Sequence, residues 1–296
     1  VLPGATISDG GSGAAIDVGG GDNNVTVTGG TINTPTIDAQ AIFQGEAGTL
    51  TVTISGGVIT SEDEVVRAAR NGVTTLQALV TGGTLTAGEE VIYGGELDDE
   101  ITVTGGTLIG SDDAIQSFEG NDTITITGGT IIELGSDAID ADSGNDIVSV
   151  SNALIDATDP GASGAIRLGA GSDQLTLGDG ADIRGLIRGG TDTDLDGPIN
   201  PQPVDTLRFS HSVEPDQVDV TCRLIAAENP TNGSITINEF SYSWEEFEVL
   251  ECDLTARVDP PPTARPAQPV PTLSTWLLFL LAGVIGAIGV RAVRSS

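Results

Sequence analysis

The feature that most constrains this chain is a unit that it writes again and again. Gly120–Gly129 reads GNDTITITGG, and aligning the chain on that glycine pair gives a column at Gly29, Gly56, Gly82, Gly105 and Gly128, continued by Asn152 and Asp179. A second column, at Ala15, Ala41, Val65, Val91, Ala114, Ala138 and Ala165, keeps the same period of 23 to 27 residues. Two columns that hold one period predict a solenoid, in which each unit contacts only its neighbours. Within a unit the alternation has period two: Ile124 and Ile126 point to one side, and Thr123, Thr125 and Thr127 to the other. The equivalent inward pairs are Val25 and Val27, Val52 and Ile54, Ala78 and Val80, Ile101 and Val103, Val148 and Val150, and Leu175 and Leu177. Threonine on the outer face favours a strand, and the glycine pair allows the backbone to turn. A second short strand, an acidic loop and the Ala-Ile strand complete the unit. The unit therefore reads as three short strands and three turns, one coil of a parallel β-helix, and about eight such coils are expected over residues 1–210. An inner stack of Val, Ile, Leu and Ala also accounts for a chain with only two Trp, two Tyr and six Phe.

Two acidic columns accompany the repeat. Glu64, Glu90, Asp113 and Asp137 precede the Ala-Ile strand, and Asp99, Asp122, Asp146 and Asp173 precede the inner strand. Neighbours in a column would sit about 4.8 Å apart, the spacing of paired strands. Like charges that close repel by roughly 1 kcal/mol in water, and by more near a protein surface. The acids either turn corners by bonding their own backbone or gather cations, and calcium is the cation expected for carboxylates at turns. The densest group is DTDLDGPIN, where Asp192, Asp194, Asp196 and Asn200 carry the alternating oxygen donors of a calcium loop. The alternative there is a solvated acidic loop.

The 43 acids outweigh 11 basic residues, all arginine, to leave a formal charge of −32. Such a surface repels nucleic acid and anionic lipid, which excludes nucleic acid as a partner. The residues of catalysis are scarce. Lysine is absent, the single histidine is His211, and no nucleophile–base pair or histidine–metal cluster is visible. Of Arg67, Arg70, Arg167, Arg184 and Arg188, Arg167 and Arg188 fall in successive coils and project from one face, near Asp140 or Asp173. Structural ion pairs are the expectation for them. The chain is expected not to be an enzyme.

The text changes after the coils. Residues 211–257 are expected to form a β cap in which SITI and FSYSW are strands and Tyr242, Trp244 and Phe247 supply large side chains. Cys222 and Cys252 suit one disulfide in an oxidising compartment better than a metal site. Residues 258–269 are a proline-rich linker. Leu273 to Val290 has only Ser274 and Thr275 as polar residues and is followed by Arg291 and Arg294, which predicts a transmembrane helix with its arginines in the cytoplasm. Val1 is no start methionine, and the Gly4–Ile7 stretch already matches the later coils, so an upstream segment is expected.

Three resemblances follow from these residues. The repeat over about residues 4–210 resembles the right-handed parallel β-helices of the pectin-lyase-like class. That likeness implies a secreted polysaccharide-active enzyme or a bacterial surface protein. GNDTI, GNDIV and GSDQL are similar to the glycine-aspartate turns of haemolysin-type calcium repeats, although those recur every nine residues. The end of the chain resembles the IPTL-CTERM sorting signal of Gram-negative bacteria, with Val270, Pro271, Thr272, Leu273 and Trp276 filling the motif over residues 270–296. Val270 replaces its isoleucine and Leu277 its glycine. That resemblance implies recognition by an exosortase-type enzyme at the inner membrane, removal of the tail, and delivery to the cell surface or matrix. The function expected is a structural or adhesin-like surface protein; a polysaccharide-binding or polysaccharide-degrading enzyme is the alternative.

Overall fold

A computed structural model describes residues 1–8, 13–69, 74–190, 204–215, 217–225, 228 and 230–257. Val1–Arg257 is one compact unit, an all-β parallel solenoid of about seven turns against the eight expected. Two sheets run its length. The longer has twelve strands and begins with Thr6–Ser8, Asn23–Thr34, Gly48–Ser61 and Thr74–Ala87. The second has ten and begins with Ile16–Asp17, Ile42–Gln44 and Val66–Ala68. Successive coils pair parallel and in register, so identical positions stack. Val27, Ile54, Val80, Val103, Ile126, Val150 and Leu177 form one inward file of the long sheet. Ile16, Ile42, Val66, Ile92, Ile115, Ile139, Ile166 and Ile187 form another in the second sheet. These files make one continuous core. Because each rung is apolar on its inner side, burial of about 1.5–3 kcal/mol per aliphatic side chain recurs at every coil.

The glycine pair does something different from what its sequence suggests. The strands on either side of it join into one long strand, such as Thr123–Glu133, interrupted by a β-bulge whose register shifts flank Gly128. The second glycine of each pair carries the left-handed backbone: φ is 86° at Gly30, 101° at Gly57, 102° at Gly83, 95° at Gly106 and 91° at Gly129. A Cβ on Gly129 would lie 2.9 Å from the carbonyl oxygen of Gly106, so the bulges stack too closely for any side chain. Where a later coil writes Asn-Ala instead, the left-handed residue is the first of the pair, Asn152 with φ 48°, a conformation that asparagine tolerates.

The sheets do not stop at Ser210. Thr206–Ser210 and then Val249–Cys252 extend the long sheet, and Phe240–Glu245 extends the second, with Trp244 stacked on Ile187. Asn232–Ile237 folds back on Phe240–Glu245 as an antiparallel hairpin, turning at Asn238 with φ 56°. Phe209, Tyr242, Trp244 and Phe247 fill the end of the core, each at most 1% exposed. The β cap expected here also contains a helix, Val218–Ile225. Its Cys222 is bridged to Cys252 in the last rung of the long sheet, with Cα atoms 5.5 Å apart. That rung would otherwise present unpaired edge groups, which is why a crosslinked helix sits beside it.

Candidate functional site

The acidic column ahead of the inner strand is a ladder of hydrogen bonds along the solenoid. The backbone N–H of Asp99 donates to Oδ1 of Asp122 at 2.7 Å, that of Asp122 to Asp146 at 2.7 Å, and that of Asp146 to Asp173 at 2.7 Å. Asp173 donates in turn to Asp205 at 3.0 Å, and Asp205 to Oε2 of Glu248 at 2.8 Å. At the other end Asp99 accepts from the N–H groups of Leu76 and Gly95. Each carboxyl thus meets a backbone N–H of the preceding coil at the corner where the chain enters its strand. Beside this buried ladder runs an exposed one: Asn121 donates to Asp98, Asn145 to Asn121, and Ser172 to Asn145.

Burial sets the charge of the inner ladder. It pushes the Asp99 and Asp122 carboxyls up to about 7 and Asp146 to about 8, against the pull of the N–H donors, which favour the ionised form. Asp146 rises further than Asp99 and Asp122, flanked by the acids of Asp173 and Asp122. Stacked carboxyls in an apolar corner hold protons that exposed ones would release. The second column behaves alike: burial raises Glu90 to about 8 and Asp113 to about 6, and it raises Glu64 to about 7 even beside Arg67.

Arginines answer part of that second column. Arg167 and Arg188 are register partners on adjacent rungs, as their spacing predicts. Asp137 lies between them, 3.4 Å from Arg167 Nε and 3.3 Å from Arg188 Nη1. Arg167 also pairs with the fully buried Asp140, and Arg188 with Glu245 at 2.8 Å. Of the two acids expected beside them, Asp140 is present, whereas Asp173 belongs to the other ladder. Further up the column, oxygens of Asp63, Glu64 and Glu89 lie within 4.8 Å of one another. Arg67 sits at one side, 2.5 Å from Oε1 of Glu64 and 3.9 Å from Oδ2 of Asp63. His211, outside the regular coils, is buried 3.7 Å from Asp179, and burial lowers its pKa.

Asp192, Asp194, Asp196 and Asn200 lie outside the described residues, as do Arg70, the linker and Val270, Pro271, Thr272, Leu273 and Trp276. Among the described residues no helix is long and apolar enough to cross a membrane, and Leu273 to Val290 lies beyond them. The sequence reading missed Asp205 and Glu248 as rungs of the ladder. VDTL repeats the NDTI pattern, but Asp205 follows Asp173 by 32 residues, beyond the period of the regular coils. It also missed Asp63 and Glu89, which the doublets Asp63-Glu64 and Glu89-Glu90 mark as a second column beside the first.

Comparison with known proteins bears on the other end of the chain. Residues 268–295 match the IPTL-CTERM motif. It is a C-terminal sorting signal processed by an exosortase-like enzyme, so the chain is exported and directed to the surface. No curated protein and no solved structure matches the chain.

Proposed function

We propose that this chain is a structural or adhesin-like protein of a Gram-negative bacterial surface or matrix, whose solenoid is a stiff, acidic rod and whose tail delivers it. One observation carries the reading. The carboxyls and arginines that a catalytic β-helix would aim at a substrate are here largely bonded between coils, as in the Asp99–Asp205 ladder and the Arg167–Asp137–Arg188 network. The reading contains no catalytic step. Its partners are an exosortase-type enzyme, the inner membrane during sorting, and extracellular polysaccharide. Calcium bound by Asp192, Asp194, Asp196 and Asn200 belongs to the same reading and would stiffen the rod.

One surface feature supports a contact with polysaccharide. A shallow groove on the outer face of the long sheet is lined by Thr51, Thr53, Gln77, Leu79, Glu100 and Thr102. Hydroxyl, amide and carboxylate groups around one apolar side chain suit sugar hydroxyls and a ring face. The test combines fractionation with binding. Purified chain is expected to bind neutral surface polysaccharide without cleaving it, and deleting residues 268–295 should move it from the cell surface to the medium. Release of reducing or unsaturated sugar ends by the purified chain would replace this reading with the enzymatic one.

A further inference from the structure

We propose that the corner built by Asp63, Glu64 and Glu89 is a divalent-cation site, suited to calcium by its all-oxygen donor set. The three residues come from adjacent coils. Asp63 and Glu64 precede the rung Val66–Ala68, and Glu89 precedes the rung Ile92–Tyr93, one coil on. The parallel register stacks those rungs, and the backbone N–H of Glu89 donates to the carbonyl of Asp63 at 3.4 Å. The donor oxygens of all three side chains then fall within 4.8 Å of one another, a separation that one ion can span.

A buried orphan points to the ligand. Glu64 is 1% exposed, and its Oε2 has no hydrogen-bond partner, while its Oε1 takes the Arg67 guanidinium. Glu90, its neighbour in the column, is 5% exposed and also holds a buried Oε2 with no hydrogen-bond partner. A carboxyl oxygen in that position costs free energy unless a proton or a cation meets it, and this corner, unlike the aspartate ladder, gathers three acids around one point. The charges agree with a divalent ion. Once a bound cation holds all three acids ionised, they face one guanidinium and the Gln40 amide that donates to Asp63, which leaves two net negative charges for the ion to meet. Glu89 is exposed and provides the open side through which hydrated calcium enters, and water completes the shell. Arg67 has a second interaction ready, because its guanidinium carbon already lies 5.0 Å from the centroid of the Tyr93 ring. When the cation binds, Arg67 keeps that aromatic contact and yields the carboxylate edge.

The same tyrosine supplies the assay. Terbium(III), a calcium surrogate, is added to the full chain and its luminescence is excited through tyrosine, then competed with calcium chloride. The expected result is sensitised emission that calcium displaces, weakened about ten-fold or more in affinity by Glu89→Gln, at least the loss that removing a group supporting a metal ligand produces. Glu89 is exposed, so that variant should fold normally, and circular dichroism checks it. Asp192→Asn combined with Asp194→Asn should leave the Tyr93-sensitised signal in place. Absence of sensitised emission, or emission equally strong in Glu89→Gln and lost only in the Asp192/Asp194 variant, would overturn the proposal.

Discussion

At the residue scale, the acids that dominate this chain divide by what surrounds them. Asp122 accepts the N–H of Asp99 in an apolar corner, whereas Asn121, one residue earlier, makes the equivalent bond in water. Of the two only Asp122 can titrate, and burial displaces its carboxyl upward. A carboxyl that titrates near 7 or 8 when folded and near 3.9 when unfolded takes up a proton on folding. Its stabilisation is complete below the unfolded value and is lost as pH rises through the folded one. The rod should therefore melt at a lower temperature at pH 9 than at pH 5 in buffers of equal ionic strength, the reverse of a protein held by surface ion pairs. Asp122→Asn keeps the acceptor oxygen without the ionisable proton. It should shrink that difference and raise the melting temperature at pH 9. A melting temperature that climbs from pH 5 to pH 9 would contradict this account of the ladder.

At the scale of the strand and its bulge, the inward files are the strongest determinant of the fold. Ile126 is fully buried between Val103 and Val150, so Ile126→Asp should prevent folding, as read by circular dichroism, while Thr125→Asp on the outer side should cost less than about 1 kcal/mol. The bulge makes a separate demand. Gly129→Ala forces a side chain into a left-handed backbone and against the Gly106 carbonyl, and should cost roughly 1–3 kcal/mol in urea denaturation. Asn152→Gly, at the left-handed position of the next coil, should be nearly neutral. These two kinds of position also explain what could be read in advance. Period-two alternation with a constant repeat determines which residues face inward, so the core files at Ile124 and Ile126 were legible. That the glycine pair bends a strand without ending it depends on a backbone angle, which composition does not encode. The helix Val218–Ile225 was hidden because one short segment, fixed by a crosslink and by the edge it covers, has no repeat to reveal it.

At the scale of the whole molecule, two devices act at its later end. The Cys222–Cys252 bridge spans 30 residues and should stabilise the folded chain by about 3 to 4 kcal/mol on a chain-entropy estimate. Cys222→Ser with Cys252→Ser should lower the denaturation midpoint correspondingly, and an unchanged midpoint would assign the bridge no thermodynamic role. The tail is the second device. Pro271→Ala with Thr272→Ala should leave an unprocessed, cell-associated form, visible as a slower band on a gel, whereas exchanging Leu, Val and Ala among residues 277–290 should not. Processing that survives the first change would remove Pro271 and Thr272 from the recognition element.

The position of that bridge has a mechanical consequence. A chain tethered through its tail receives force first at Arg257, and the nearest rungs, Thr255–Ala256 and Val249–Cys252, are bonded to their neighbours one coil in. Rungs loaded from one end peel in sequence, because each holds only to the next. Peeling that starts at Arg257 meets a covalent stop at Cys252, and the pull then passes through sulfur to Cys222. Under tension the crosslink acts as a rivet, sparing the last rung of the long sheet while residues 253–257 peel away.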